Sequence, residues 1–494
     1  DSVATIRAAK ARGLNVSCSV SATHLMLNEN DVESLNIALD FLNQQKGYKH
    51  YTLICDDQQN LNSSSIKGKF DRLIKIGLPV QEIPGVSIEN FRNFDSFRND
   101  FTTDNFQQEA ILVKGDIHEK INRLLQEKSH QTEMEINLSN LVHNLNYYRS
   151  VLQPNTKIMA MVKAFSYGSG SDEIASILQY QRVDYLGVAY ADEGLALRKS
   201  GITLPIMVMN AELSAFDTMI ANNLAPVVFN NTILEALIDK LNQYKDLENF
   251  PIHLELETGM NRLGFGENEI EELKARISNN PKIRIQSIFS HLAASEDSNK
   301  DDFTQQQIAL FDRISQDFIN LFDYKIDRHI LNSNGALRHP EAQFDMVRLG
   351  IGLYGVADDK NEKNLLEVSS LKTTISQIKT VKSKQSIGYG ANNALETDRK
   401  IAVLPIGYAD GYRRCLSKGV GQVYINDQAC PVIGSVCMDM TMVDISEVDC
   451  IEGDEVIIFD QQHSIKDFAK QMNTIPYEAL TGISPRVKRV YYQE

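Results

Sequence analysis

Short apolar runs recur along the middle of the chain, at 158–164, 185–190, 205–210, 226–229, 252–257, 285–291, 329–333 and 346–351. Stretches of helical period separate them, among them 172–179, 192–199 and 302–320. Short apolar runs suit strands buried on both faces, and amphipathic spacers suit helices laid over them. Eight such pairs over roughly 230 residues predict an α/β protein built on a (β/α)8 barrel. An open doubly wound sheet would usually carry a glycine-rich phosphate loop after its first strand, and none stands there.

The pattern changes on both sides of this region. Short β-rich runs at 374–381, 400–405, 421–425 and 455–459 are divided by Gly, Asn and Asp turns. They predict a separate all-β domain over 371–494, which leaves the barrel 134–370. A polar stretch without periodicity, 126–134, reads as a linker. Ahead of it, strand-like runs at 51–55, 72–77 and 110–115, an amphipathic helix at 35–42 and a polar loop at 57–68 predict a small Rossmann-like α/β unit over 35–128. Residues 1–34 are a further fragment whose fold the pattern does not define.

Composition sets limits. Of the 494 residues, 43% are hydrophobic and 23% charged, which supplies several cores and excludes wholesale disorder. A net charge of −15 argues against nucleic acid or an anionic membrane as partner. No apolar run approaches the ~18 residues that span a bilayer. The first residues, Asp1-Ser2-Val3-Ala4, lack the basic and apolar regions of a signal peptide. The six cysteines (Cys18, Cys55, Cys415, Cys430, Cys437, Cys450) include no C-x-x-C pair. Free thiols in a reducing cytoplasm are therefore expected, and no metal site.

Catalytic groups of a barrel stand at the carboxyl ends of its strands. The first strand ends Met161-Val162-Lys163-Ala164-Phe165-Ser166-Tyr167-Gly168-Ser169-Gly170. Apolar flanks disfavour the ammonium form of Lys163, which suits a Schiff-base amine. Later strands end in Glu257-Thr258-Gly259-Met260-Asn261-Arg262, Ser290-His291 and Leu331-Asn332-Ser333, and the eighth runs through Arg348-Leu349-Gly350-Ile351.

These blocks, with Gly388-Tyr389-Gly390, Pro405-Ile406-Gly407-Tyr408-Ala409-Asp410-Gly411-Tyr412 and Cys437-Met438-Asp439, carry a resemblance. Residues 134–494 resemble alanine racemase, the fold-type III pyridoxal-phosphate enzyme, along essentially their whole length. The resemblance implies a homodimer that interconverts L- and D-alanine, supplies D-alanine for peptidoglycan, and has its active sites at the interface. It makes Lys163 the cofactor lysine and one of two catalytic bases, and Tyr389, from the partner subunit, the other. Arg348 would face the pyridine nitrogen and leave it unprotonated. Tyr167, Ser333, Gly350 and Ile351 would hold the phosphate, and His291 would stack near the ring. Arg262 and the Met438 N–H would bind the substrate carboxylate, Tyr408 would narrow the entrance, and Glu255 and Asp439 would act in support.

Two positions depart from the family pattern. Glu255 stands where a lysine, often carbamylated, usually orients the arginine of the Gly-Met-x-Arg motif, and Pro485 takes the place of a gate tyrosine. Two alternatives remain open: a racemase or decarboxylase of the same fold acting on a larger amino acid, and a non-catalytic pyridoxal-phosphate-binding scaffold. Residues 35–128 resemble the C-terminal domain of the ligase that adds D-Ala-D-Ala to the murein tripeptide. No G-x-x-x-x-G-K-[ST] loop accompanies them, which implies a remnant without ligase activity. Residues 1–34 resemble a dihydroorotase fragment, in which His24 lacks partner ligands.

Overall fold

A computed structural model describes residues 131–493 except 279, 358–360 and 390–393, together with 15–18, 25–28, 50–55, 66, 68, 70–80, 82–94, 96–97 and 109–114. The chain divides between residues 130 and 131 into two compact units.

The first unit holds β1 (Asn15–Cys18), β2 (Leu25–Asn28), β3 (His50–Cys55), β4 (Arg72–Ile76), β5 (Ser87–Phe91) and β6 (Glu109–Lys114) in one sheet, ordered β1-β2-β6-β3-β4-β5. All neighbours are parallel except β1, which runs antiparallel to β2. The three expected strands are present. The sequence reading missed β5, whose Ser-Ile-Glu-Asn-Phe run is half exposed at the sheet edge. Strands on both sides of residue 34 share this sheet. The expected helix at 35–42, residues 57–65 of the polar loop, His24 and linker residues 126–130 lie outside the described residues.

The second unit opens with β7 (Glu133–Asn137) and continues into the barrel strands β8 (Lys157–Met161), β9 (Tyr185–Val188), β10 (Ile206–Val208), β11 (Leu224–Val228), β12 (Phe250–Glu255), β13 (Ile283–Phe289), β14 (Asp327–His329) and β15 (Met346–Leu349). Seven overlap an expected run by three or more residues, while β14 meets its run (329–333) only at His329 and lies earlier in the chain; neighbouring strands pair in parallel from β14 round to β15. The ring closes where the Arg348 N–H donates to Leu331 O at 2.9 Å and the Asp345 N–H to Arg328 O at 3.0 Å.

Two β-sheets complete the unit. One is ordered β20-β19-β22-β16-β7-β23, with β16 Ser369–Thr374, β19 Gln422–Ile425, β20 Gln428–Pro431, β22 Glu455–Phe459 and β23 Lys488–Tyr492; the other is β17-β18-β21, with β17 Gln377–Val381, β18 Arg399–Leu404 and β21 Thr441–Asp444. Two readings change. Residues 133 and 134 are strand rather than linker, because Met134 and Ile136 alternate inward and are fully buried between β16 and β23. The run at 374–381 belongs to two sheets: the Ile375 N–H donates to Asp454 O and the Ser376 N–H to Val403 O, so the chain changes partners there. Among the described residues no helix is long and apolar enough to cross a membrane.

Candidate active site

Lys163 follows β8 at the carboxyl end of the barrel and opens a short turn to Tyr167. Ala164, Phe165, Ser166 and Tyr167 have φ of 52°, 55°, 50° and 54°. Left-handed backbone costs an L-residue roughly 1–2 kcal/mol, so four in succession persist only where the surroundings impose them. The Ala164 N–H donates to Glu193 Oε1 at 2.7 Å, and Glu193 Oε2 accepts from the Ala189 N–H at 2.7 Å. Beyond the turn, Arg489 Nε donates to Gly168 O at 2.9 Å. Burial lowers the pKa of Lys163 first, helped by Arg262 and Arg348 and opposed by Glu193. The expectation from its apolar flanks is met, with two arginines adding to it.

Arg348 is buried, and its two Nη groups are occupied. Nη1 donates to His329 Nδ1 at 2.6 Å and His329 O at 3.3 Å; Nη2 donates to Ser290 O at 2.6 Å, His291 Nδ1 at 3.1 Å and Ile330 O at 3.2 Å. The Nε–H keeps no protein acceptor among the described residues. A guanidinium only donates, so Nδ1 of both histidines must be bare. Burial and the neighbouring Arg348 push both imidazoles well below their ordinary pKa, so both are neutral. His329 Nε2–H then donates to Ser287 Oγ at 2.8 Å, and the serine hydroxyl to His253 Nδ1 at 2.7 Å. His253, fully buried, is pushed down to about 3 by desolvation. A polar chain thus runs from Arg348 through the barrel interior.

An anion cradle lies beside these groups. Ser333 Oγ accepts from the Gly350 N–H at 2.8 Å and the Gly352 N–H at 3.2 Å, which leaves its own proton free to donate. Ile351 opens the 3-10 turn Ile351–Tyr354, so its N–H has no acceptor within that turn. The Tyr167 hydroxyl closes the group: a Cβ built on Gly350 would meet it at 2.4 Å. Glycine at 350 is what lets the phenol approach the backbone this closely.

Glu255, at the end of β12, is 3% exposed. Burial raises its pKa, while Arg262 and Arg348 lower it. The β domain supplies the rest. Tyr389 is 74% exposed, Met438 53% and Tyr408 43%. Arg486 ties the Tyr408 and Met438 loops together, donating to the buried Asp410 at 2.6 Å and to Asp439 at 2.8 Å. The structure brings together Lys163, Tyr167, Glu255, Arg262, His291, Ser333, Arg348, Gly350 and Ile351. Tyr389 makes no hydrogen bond or ring contact within the chain among the described residues. Sequence reasoning missed Glu193, His329, Arg486 and Arg489. Only Glu193 left a signal, as an acid in the first turn of helix Ala191–Lys199.

A desolvated amine, a group of hydroxyl and amide donors and a guanidinium with one donor uncommitted have the chemistry to suit a phosphorylated pyridine aldehyde. The fold is that of a barrel enzyme with an appended β domain. Alanine racemase, N-terminal domain, matches residues 136–358, and Alanine racemase, C-terminal domain, residues 368–491. The chain belongs to the alanine racemase family. An alanine racemase of Thermodesulfovibrio yellowstonii is 36% identical over 375 residues, 73% of this chain and 98% of that relative. The solved alanine racemase of Clostridium difficile 630 superposes with a TM-score of 0.70 at 33% identity, covering 74% of this chain and 97% of that one. The Bartonella henselae alanine racemase, solved with covalently bound pyridoxal phosphate, superposes with a TM-score of 0.66 at 27% identity, covering 73% and 99%.

Proposed function

We propose that this chain interconverts L- and D-alanine by moving the α-proton between two opposite faces, with Lys163 on one face and Tyr389 of a second copy on the other. Pyridoxal phosphate is the cofactor, and when bound it acidifies the α-proton by withdrawing electrons from Cα. Lys163 holds it covalently and exchanges the proton at Nζ on the D-alanine side. Ser333, Tyr167 and the Ile351 N–H would hold the phosphate, while the Gly350 N–H, expected from the sequence to donate to it as well, is taken by Ser333 Oγ and orients that hydroxyl. Arg348, whose Nε–H is uncommitted among the described residues, would face the ring nitrogen and keep it from acquiring a proton. His291, neutral with a bare Nδ1, would stack near the ring. Arg262 and the Met438 N–H bind the carboxylate, and Tyr408 keeps the pocket small, which favours alanine over longer amino acids.

The observation that carries this reading is Tyr389, a phenol 74% exposed, with no hydrogen bond or ring contact among the described residues. A second base is required on the face opposite Lys163, and the family pattern assigns it to Tyr389. The active unit is therefore a homodimer with shared sites. Mixing inactive Lys163→Ala with inactive Tyr389→Phe chains tests this directly. Shared sites predict partial recovery of activity, because mixed dimers contain one site with both bases. No recovery in demonstrated mixed dimers would place both bases on one chain.

Glu255 supplies the anion that a carbamylated lysine usually provides beside Arg262. Glu255→Gln keeps the shape and removes the charge. It is expected to lower kcat/KM about 10-fold, a loss of about 1.4 kcal/mol, and activity should not respond to added bicarbonate. Parent-like kinetics in Glu255→Gln would assign the orientation of Arg262 to another group.

The setting is cytoplasmic provision of D-alanine for peptidoglycan. The resemblances of 35–128 to a murein ligase C-terminal domain and of 1–34 to a dihydroorotase fragment are read as remnants without their own activity. Every proposed active-site residue lies beyond the division at 130/131. Deleting residues 1–128 is expected to leave kcat and KM within about 2-fold of the full chain, the scale of a change remote from a site. A soluble, dimeric but inactive deletion would give the N-terminal unit a role in shaping the site.

A further inference from the structure

We propose that Glu193 and Arg489 are positioning residues for Lys163, clamping the left-handed turn from opposite sides so that its amine is held on line. This rests on the reading of Lys163 as the base for D-alanine. Glu193 takes the Ala164 N–H on one oxygen, and on the other the N–H groups of Ala189 at 2.7 Å and Tyr190 at 3.3 Å. The last two are the bonds of a helix-start acid. The first crosses from the opening turn of the helix after β9 to the turn after β8 and pins the peptide joined to Lys163.

Arg489 is 8% exposed and fastens the other end. Its Nε donates to Gly168 O, Nη1 to Ser484 O and to Val487 O at 2.7 Å, and Nη2 to Ile483 O at 2.8 Å. Its guanidinium carbon stands 5.5 Å from the Phe165 ring centre, within the turn itself. The C-terminal segment presses on the same place: a Cβ on Gly168, at φ +83°, would meet Leu480 O at 2.3 Å. The turn's own backbone bonds are Ser166 N–H to Val162 O at 3.2 Å, Gly168 N–H to Ala164 O at 3.0 Å, Ser169 N–H to Ser166 O at 3.1 Å and Gly170 N–H to Phe165 O at 2.9 Å. The two side chains add bonds from outside it, one from the barrel and one from the β domain. Because Lys163 immediately precedes the turn, its Cα moves if either clamp is released.

The test uses Glu193→Gln and Arg489→Lys in the full chain. In the cofactor-free protein, the Ala164 amide should exchange with solvent at least ~10-fold faster in each variant than in the parent, while core amides of β11 and β12 are unchanged. In the loaded enzyme, a misplaced Lys163 should cut α-proton exchange from D-alanine about 10-fold, with exchange from L-alanine, served by Tyr389, falling less than about 2-fold. A lesion that merely loosens the fold would lower both equally. Equal loss from both enantiomers, or unchanged Ala164 exchange, overturns the clamp. A wrong assignment of the bases would instead surface in Lys163→Ala and Tyr389→Phe, where neither clamp residue is altered. If Glu193→Gln does not fold, Arg489→Lys decides alone, since the ammonium keeps the positive charge but cannot span Gly168 O and the carbonyls of Ile483, Ser484 and Val487 together.

Discussion

Lys163→Ala is expected to abolish covalent cofactor attachment and to lower racemisation by at least about 10³-fold, since it removes anchor and base together. The apolar flanks and the two arginines hold its pKa below that of an exposed lysine. At a given pH, more of this amine is therefore uncharged than of a surface lysine. The sign is that of a lowered base: the reactive form predominates above the folded pKa and is lost as pH falls through it, so attachment should slow on the acid side. Arg348 faces the same amine and opposes its protonation, as does Arg262; Glu193 acts the other way. Racemisation surviving in Lys163→Ala without an added amine would remove the lysine from both roles.

Tyr389→Phe should damage the two directions unequally. The phenol is the base for L-alanine in this account, and phenylalanine keeps its ring while deleting the proton-carrying oxygen. Deprotonation of L-alanine should fall by about 10³-fold, within the usual worth of a positioned base, and racemisation should fall with it. Solvent exchange of the D-alanine α-proton through Lys163 should fall far less. Measuring α-proton exchange from each enantiomer separately distinguishes this from a general loss. Equal loss from both would contradict the division of labour.

The barrel was legible because its strands are buried on both faces: near-continuous apolar runs such as Ile158-Met159-Ala160-Met161 cannot be mistaken for amphipathic helix, and the intervening helices show a single apolar stripe. The β domain was legible in kind but not in sheet membership. β7 joins a sheet whose other strands lie more than two hundred residues downstream, and nothing local in Glu133-Met134-Glu135-Ile136 announces such a partner. The residues expected at strand ends stand near one another because the barrel fixes where strand ends point. Glu193 and Arg489 did not. Their roles depend on bonds across 29 and 321 residues, and the left-handed turn they serve is spelled Ala-Phe-Ser-Tyr, four residues with no intrinsic preference for that conformation. His329 and Ser287 were hidden differently: in sequence each is a polar residue in a strand, and only the barrel interior links them to Arg348.

Borohydride reduction of the cofactor-loaded full chain, followed by mapping of the reduced pyridoxyl group onto its peptides, tests the central claim most directly. The account predicts loss of an absorbance band near ~420 nm on reduction and a single modified residue, Lys163. Stable modification at another lysine, with Lys163 unmodified, would contradict it.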